Sequence, residues 1–393
     1  MGDLNLYTSL AIAMLLALLS SKLMKKVKLP NVTGYLIIGL LAGPYCLKIL
    51  SKDVIDQLSI IPDIALGFIA FSIGAEFKLS YLKQVGKAPV IIAFTEGFGA
   101  TLAVDIVLIA FGNDISFSII LGSIAAATAP AATLMVVRQY KAKGPVTDML
   151  LPVVAIDDAV AVIAFGLSVA IAKAINSTES VSLAATILDP VLEIFGALIF
   201  GALLGILLKF LTGWFTGRGN RLSAAIAMIL VCTGVSNILG ISPLMACMAM
   251  SAIYVNLSSV SDKVFEQVDR FTPPVFMLFF FVSGADLNIR ILPSVGGIGL
   301  LYVVFRVAGK VAGAALGAKI AKVEPVVKKY LGYTLLPQAG VAIGLTAVAM
   351  EVVPEYGAKI RTIVLCGTVI YELIGPVVTK LSLKKAGEIQ SAA

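Results

Sequence analysis

The chain has 393 residues, 59% hydrophobic and only 13% charged, with a mean hydropathy of +1.01, a formal charge of +7 and no histidine. So little polar surface cannot cover a water-soluble body of this length, and the fold must face lipid. Without imidazole there is no Ser-His nucleophile system and no His metal site, while basic residues spread through loops between apolar runs mark topology and not nucleic-acid binding.

The N-terminus, Met1-Gly2-Asp3, lacks the positive region of a secretory signal, so the first apolar run, 4–22, reads as a retained span. Further apolar segments follow at 31–50, 57–77, 89–111, 115–137, 148–173, 189–209, 222–238, 241–257, 271–287, 294–319, 330–352 and 360–382. Most approach the ~20 residues that cross ~30 Å of hydrocarbon, and the short pair 222–238 and 241–257 is separated by a tight turn at Gly240. The expectation is an all-α polytopic membrane protein of about 13 transmembrane helices. Cys46, Cys232, Cys247 and Cys366 lie in or beside apolar stretches without metal-site or redox spacing, and read as small core hydrophobes.

Loop charges support that count. With the N-terminus outside and the C-terminus cytoplasmic, the outer loops hold only Lys48, Lys52, Lys173, Arg290, Lys359 and Arg361, and the other loop Lys and Arg residues fall inside. The expected location is the cell (inner) membrane. Segments one to six start outside and segments eight to thirteen start inside, so two six-helix halves have inverted topology, with segment seven as a linker. Each half carries one interruption in a matching span. Thr128-Ala129-Pro130-Ala131-Ala132-Thr133 breaks the fifth segment and Pro337-Gln338-Ala339-Gly340 the twelfth, which predicts crossed broken helices.

Ionisable residues inside the membrane each cost at least ~2.5 kcal/mol and need a partner or water. Asp157 and Asp158 sit about ten residues from the inner end of the sixth segment, roughly 15 Å deep, and Lys310 lies at a similar depth in the eleventh. Adjacent aspartates diverge by about 100°, so one can hold the lysine while its neighbour faces a water-filled cavity. A dehydrated monovalent cation needs several oxygens, which a carboxylate, the Thr128 hydroxyl and the freed carbonyls of the fifth segment supply. Protons and cation then compete for one site. A buried ion pair that merely pins two helices would need one carboxylate, and this chain has two. Arg306, one turn before Lys310, is expected to pair with an acid on a neighbouring helix, and Glu76, Glu96, Asp105, Glu193, Asp286 and Glu372 are read mainly as structural.

With these residues in view, the chain resembles the monovalent cation/proton antiporter superfamily, particularly sodium/proton antiporters of the NapA type, with NhaA as a more distant relative. The resemblance runs through Thr33-Gly34-Tyr35-Leu36-Ile37-Ile38-Gly39-Leu40-Leu41-Ala42-Gly43-Pro44, Gly74-Ala75-Glu76, Ile156-Asp157-Asp158 and Phe279-Phe280-Phe281-Val282-Ser283-Gly284, and is most specific in the Asp-Asp pair with its distant lysine. It implies an NhaA-like fold in which core helices, 89–173 and 291–385, move like an elevator against dimerisation helices, 1–88 and 222–290, across a linker helix, 189–209. It also implies a homodimer in which Asp158 binds Na+ or Li+, Asp157 pairs with Lys310, and Thr128 belongs to the crossing. In the family it resembles, members with two aspartates are electrogenic, so the resemblance further implies exchange of two protons per cation in the service of pH homeostasis. NhaA-like members place an acid after the threonine, where Ala129 stands here, so that secondary charge is missing. No cofactor is expected beyond the transported ions, and the segment after Lys385 leaves no room for a nucleotide-binding regulatory domain.

Three other readings compete. A potassium/proton antiporter would share the fold. A sodium-coupled organic-anion carrier would have little use for a lysine-paired aspartate couple. A channel or membrane enzyme would need a filter motif or a nucleophile constellation, and neither is seen.

Overall fold

The computed structural model of the protein describes residues 5–27, 31–129, 133, 136–137, 140–176, 183–288 and 292–389. Pro130, Arg138 and Arg290 lie outside the described residues, as does the side chain of Glu193. Among the described residues there are seventeen α-helices and no strand. In chain order they are α1 (Leu6–Val27), α2 (Asn31–Ala42), α3 (Lys52–Gln57), α4 (Ile60–Ala75), α5 (Leu79–Val85), α6 (Lys87–Ala110), α7 (Ile115–Ile124), α8 (Pro145–Asn176), α9 (Leu183–Trp214), α10 (Arg218–Leu239), α11 (Pro243–Leu257), α12 (Ser261–Phe271), α13 (Pro273–Ala285), α14 (Leu292–Ile320), α15 (Pro325–Thr334), α16 (Gly340–Val352) and α17 (Pro354–Lys385).

Eight helical stretches are long and apolar enough to cross a membrane, and shorter apolar helices, among them α2, α7, α11, α13 and α16, pack beside them. Many of their large apolar side chains point outward, including Leu19, Ile106, Ile199 and Leu300, as a lipid-facing surface requires. The expected turn between the short pair of spans is present. Gly240 closes α10 in the left-handed region at φ 67°, and Ser242 caps α11 by accepting from the Met245 amide at 3.3 Å, with Pro243 at the first helical position.

Two stretches differ from the sequence reading, while a third breaks as expected. The segment 31–50 is helical only to Ala42, because Gly43-Pro44 turns the chain. The segment 330–352 splits where Pro337 predicts, into α15 and α16, separated by an extended stretch. The stretch 261–271, read as a loop from its charges, is the amphipathic helix α12, which buries Val264 and Val268 on one face and keeps Asp262 in its first turn and Arg270 in its last.

Helix α6 lies broadly against α14, and small residues set how close they come. Gly309, Gly313 and Gly317 recur every fourth residue along α14, facing Gly99 and Glu96 of α6. A Cβ on Gly309 would stand 2.5 Å from the Gly99 carbonyl oxygen, and one on Gly313 2.7 Å from the Glu96 Cα, so only glycine fits. This close approach carries Lys310 of α14 directly onto Glu96.

Candidate functional site

The first break begins where α7 ends. Asp114 caps its start by accepting from the Phe117 amide at 3.0 Å, and after Ile124 the chain loosens into an extended run to Ala129. A helix end leaves its last carbonyls without intrahelical partners, and here that end is buried in the protein. Four carbonyls at and just past this end are taken by side chains from elsewhere. Gln338 donates to the Ile124 carbonyl at 2.9 Å, Arg306 to Ala125 at 2.9 Å and to Ala127 at 2.7 Å, and Lys310 to Ala126 at 2.7 Å. Two cations thus stand at the negative end of the α7 dipole, where positive charge is favoured.

The second break meets the first at backbone level. The Ala129 amide donates to the Pro337 carbonyl at 2.8 Å, the Thr133 hydroxyl to Thr334 at 3.0 Å, and the Arg306 guanidinium to Leu336 at 2.8 Å. Gln338 also exchanges hydrogen bonds with the Tyr302 hydroxyl at 2.9 and 3.1 Å. The two extended stretches therefore cross, and each supplies groups that the other lacks. Pro130 falls outside the described residues, so its part in the break is not described.

Lys310 sits at the crossing with no solvent exposure. Its ammonium has four oxygen neighbours: Glu96 Oε2 at 2.6 Å, the Ala126 carbonyl at 2.7 Å, Thr128 Oγ1 at 2.8 Å and Asp157 Oδ2 at 3.2 Å. Glu96 and Asp157 are equally buried, and each keeps one carboxylate oxygen without a protein partner. Asp158, the next residue on α8, is only partly buried, with Oδ1 unpartnered. Asp157, Lys310, Thr128, Ala129, Thr133, Pro337 and Gln338 are thus gathered at one crossing with Asp158 beside it.

One expectation needs correction. Arg306 pairs with no acid among the described residues: its donors go to three main-chain carbonyls, and its guanidinium carbon lies 4.4 Å from the centroid of the Tyr371 ring. A planar fork with donors on three nitrogens suits splayed carbonyls that a carboxylate could not fill. Glu96, read as structural, does pair, and it is the shortest contact of the buried lysine. Its sequence signal was depth alone, since 214 positions separate it from Lys310. Among the other acids, Asp286 does pair structurally, with Lys52 at 3.0 Å and Arg361 at 2.9 Å, while Asp105 and Glu372 each keep one buried oxygen unpartnered.

An all-helical membrane body with two crossed chain breaks and a buried lysine between carboxylates defines the class of secondary cation/proton transporters. The chain belongs to the family described as sodium/hydrogen exchanger, transmembrane, whose profile matches residues 10–385. It is 22% identical over 392 residues to the ammonium/H+ antiporter subunit AmhT of Alkalihalophilus pseudofirmus, covering 96% of this chain and 95% of that one. It is 24% identical over 326 residues to the probable Na+/H+ antiporter GerT of Bacillus cereus, covering 80% and 82%. Its fold matches the sodium proton antiporter MjNhaP1 of Methanocaldococcus jannaschii at pH 8 with a TM-score of 0.73 and 20% identity, over 97% of this chain and 96% of that one. The protein is therefore a multi-pass membrane antiporter of the monovalent cation/proton superfamily, not an enzyme.

Proposed function

We propose that this antiporter exchanges Na+ or Li+ for protons across the cell membrane, electrogenically, with two protons moved per cation. The single observation that carries the reading is the Lys310 ammonium, buried at the crossing and in contact with Thr128 and Asp157 while Asp158 stands beside it partly exposed. The ammonium holds two of the oxygens that a dehydrated cation would use, so a cation bound at Asp158 that recruits Thr128 or Asp157 must compete with Lys310 for them. Asp158 is the cation ligand, Thr128 and Asp157 are contributors, and Asp157 with Lys310 is the proton-responsive pair. The helix-end carbonyls of 124–127 already serve Arg306, Lys310 and Gln338, so the carboxylates carry the main load of cation binding.

In this reading the crossing belongs to a core, 89–173 and 291–385, that slides against scaffold and dimer helices, 1–88 and 222–290, with 189–209 between them. The protein works as a homodimer in the inner membrane, N-terminus outside and C-terminus cytoplasmic. The elevator is supported by how tightly the breaks are bonded to each other, which favours movement of the crossing as one piece over its unfolding in each cycle. The test is exchange in everted vesicles. Na+ should collapse a preformed pH gradient, and Asp158→Asn should abolish this while the protein is still inserted and folded; undiminished exchange in that variant would overturn the assignment.

A second reading concerns the cation. The near full-length similarity to an ammonium/H+ antiporter subunit makes ammonium, an ion close to potassium in size, a competing substrate. Proteoliposomes under an imposed membrane potential, assayed with Na+, Li+, K+ and NH4+ in turn, decide substrate and electrogenicity together.

A further inference from the structure

The helix that carries Asp157 and Asp158 begins at Pro145, and its first amides have no intrahelical acceptors. Neither Gly144 nor Pro145 offers a side-chain oxygen to cap them. The acceptor comes from the far end of the chain. Glu388 accepts from the Val146 amide at 2.6 Å, from the Thr147 amide at 2.8 Å and from the Thr147 hydroxyl at 2.7 Å, and is only 6% exposed. Its own carbonyl accepts from the Lys143 amide at 3.1 Å.

Local structure aims this carboxylate. Helix α17 ends in a reversal in which the Gly387 amide bonds the Lys384 carbonyl at 3.1 Å and the Glu388 amide reaches back to Leu383 at 3.0 Å. Gly387 is left-handed at φ 80°, a conformation that other residues adopt at a cost. The next residue, Ile389, packs into the cluster of Val136, Val137, Val146 and Leu150. Gly144 completes the cradle, since a Cβ there would stand 2.6 Å from Glu388 Cγ.

We infer that residues 386–389 form a latch in which Glu388 is a positioning residue for the Asp157–Asp158 helix, tying the end of α17 to the start of α8 so that the two ends move as one body. Capping by a carboxylate is favoured twice, by charge-assisted hydrogen bonds and by the positive end of the helix dipole. The aspartates lie roughly 17 Å further along the helix at ~1.5 Å per residue, beyond any contact with the carboxylate. Its effect is on how firmly α8 follows the rest of the core, and so on turnover and not on cation affinity.

The transport arm of the test rests on the proposed antiport, whereas the amide-exchange arm does not, so failure of one reading is told apart from failure of the other. Full-length Glu388→Ala should speed hydrogen exchange at the Val146 and Thr147 amides by about five- to tenfold, as loss of a cap does. Turnover per folded transporter should fall several-fold with the apparent cation KM within about twofold, and Glu388→Asp should recover part of both. Gly387→Ala, which keeps the carboxylate and misdirects it, should move both readouts the same way. Unchanged amide exchange in Glu388→Ala, or a change in KM without a change in turnover, overturns the latch.

Discussion

Lys310 has three N–H bonds for four oxygen neighbours, so one contact is shared, and the 3.2 Å approach to Asp157 is the weakest of the four. Glu96 at 2.6 Å is the partner that anchors the ammonium, and Asp157 is the one that can leave without stranding it. Removing one partner of a buried pair leaves an uncompensated charge, so Glu96→Ala should destabilise the protein by about 3 kcal/mol, and Asp157→Ala by less. Unfolding of the detergent-solubilised variants would give the order, and the reverse order would remove Glu96 as the anchor. None of these pairings is local in the chain, which is why depth alone, and not partner, was legible for Glu96.

At the scale of elements, the breaks are held by side chains acting as helix caps. Arg306 satisfies the carbonyls of Ala125, Ala127 and Leu336 at once, a task that depends on a planar fork. Arg306→Lys keeps the charge, yet one ammonium replaces a fork whose donors sit on three separate nitrogens, and the buried carbonyls it fails to reach cost about 1–3 kcal/mol each. Its melting temperature should fall, and exchange activity with it, although the residue touches no carboxylate. The prolines at 130 and 337 announced the breaks in the sequence, and the twelfth segment does split around Pro337. What closes the breaks was misread, because a buried arginine suggests an acid partner until the helix ends that need donors are placed beside it. Apolar runs marked the long apolar helices, but α12 was missed since its charges masked one narrow buried face.

At the scale of the whole molecule, charges at helix ends meet in separate groups. Lys52, Asp286 and Arg361, drawn from three separate loops and helix ends expected on one side, meet in one bridge, and Lys78 meets Asp262 at 2.6 Å among residues expected on the other. If the core slides against the scaffold, the bridge joining Arg361 of α17 to Asp286 after α13 must open in each cycle. Asp286→Asn should then raise turnover at low ionic strength and remove most of its salt dependence, measured in proteoliposomes at two salt concentrations. Equal salt dependence in both proteins would mean that the bridge stays closed during transport.

Hydropathy, loop charge and helix breakers act over a few residues, so the sequence by itself determined that this is a polytopic helical membrane protein, and it singled out Asp157, Asp158 and Lys310 as charges within apolar segments. Which groups meet is set by how closely helices approach, and that approach depends on glycines in α14 facing glycine in α6 and on a left-handed turn at Gly387. Only the tertiary structure could therefore give Lys310 its Glu96 partner across 214 residues, place Arg306 on the broken helix ends, and bring Glu388 across 242 residues to cap the helix of the two aspartates. In lipid a polar group has no solvent to fall back on, so the partners chosen at these distances decide the site.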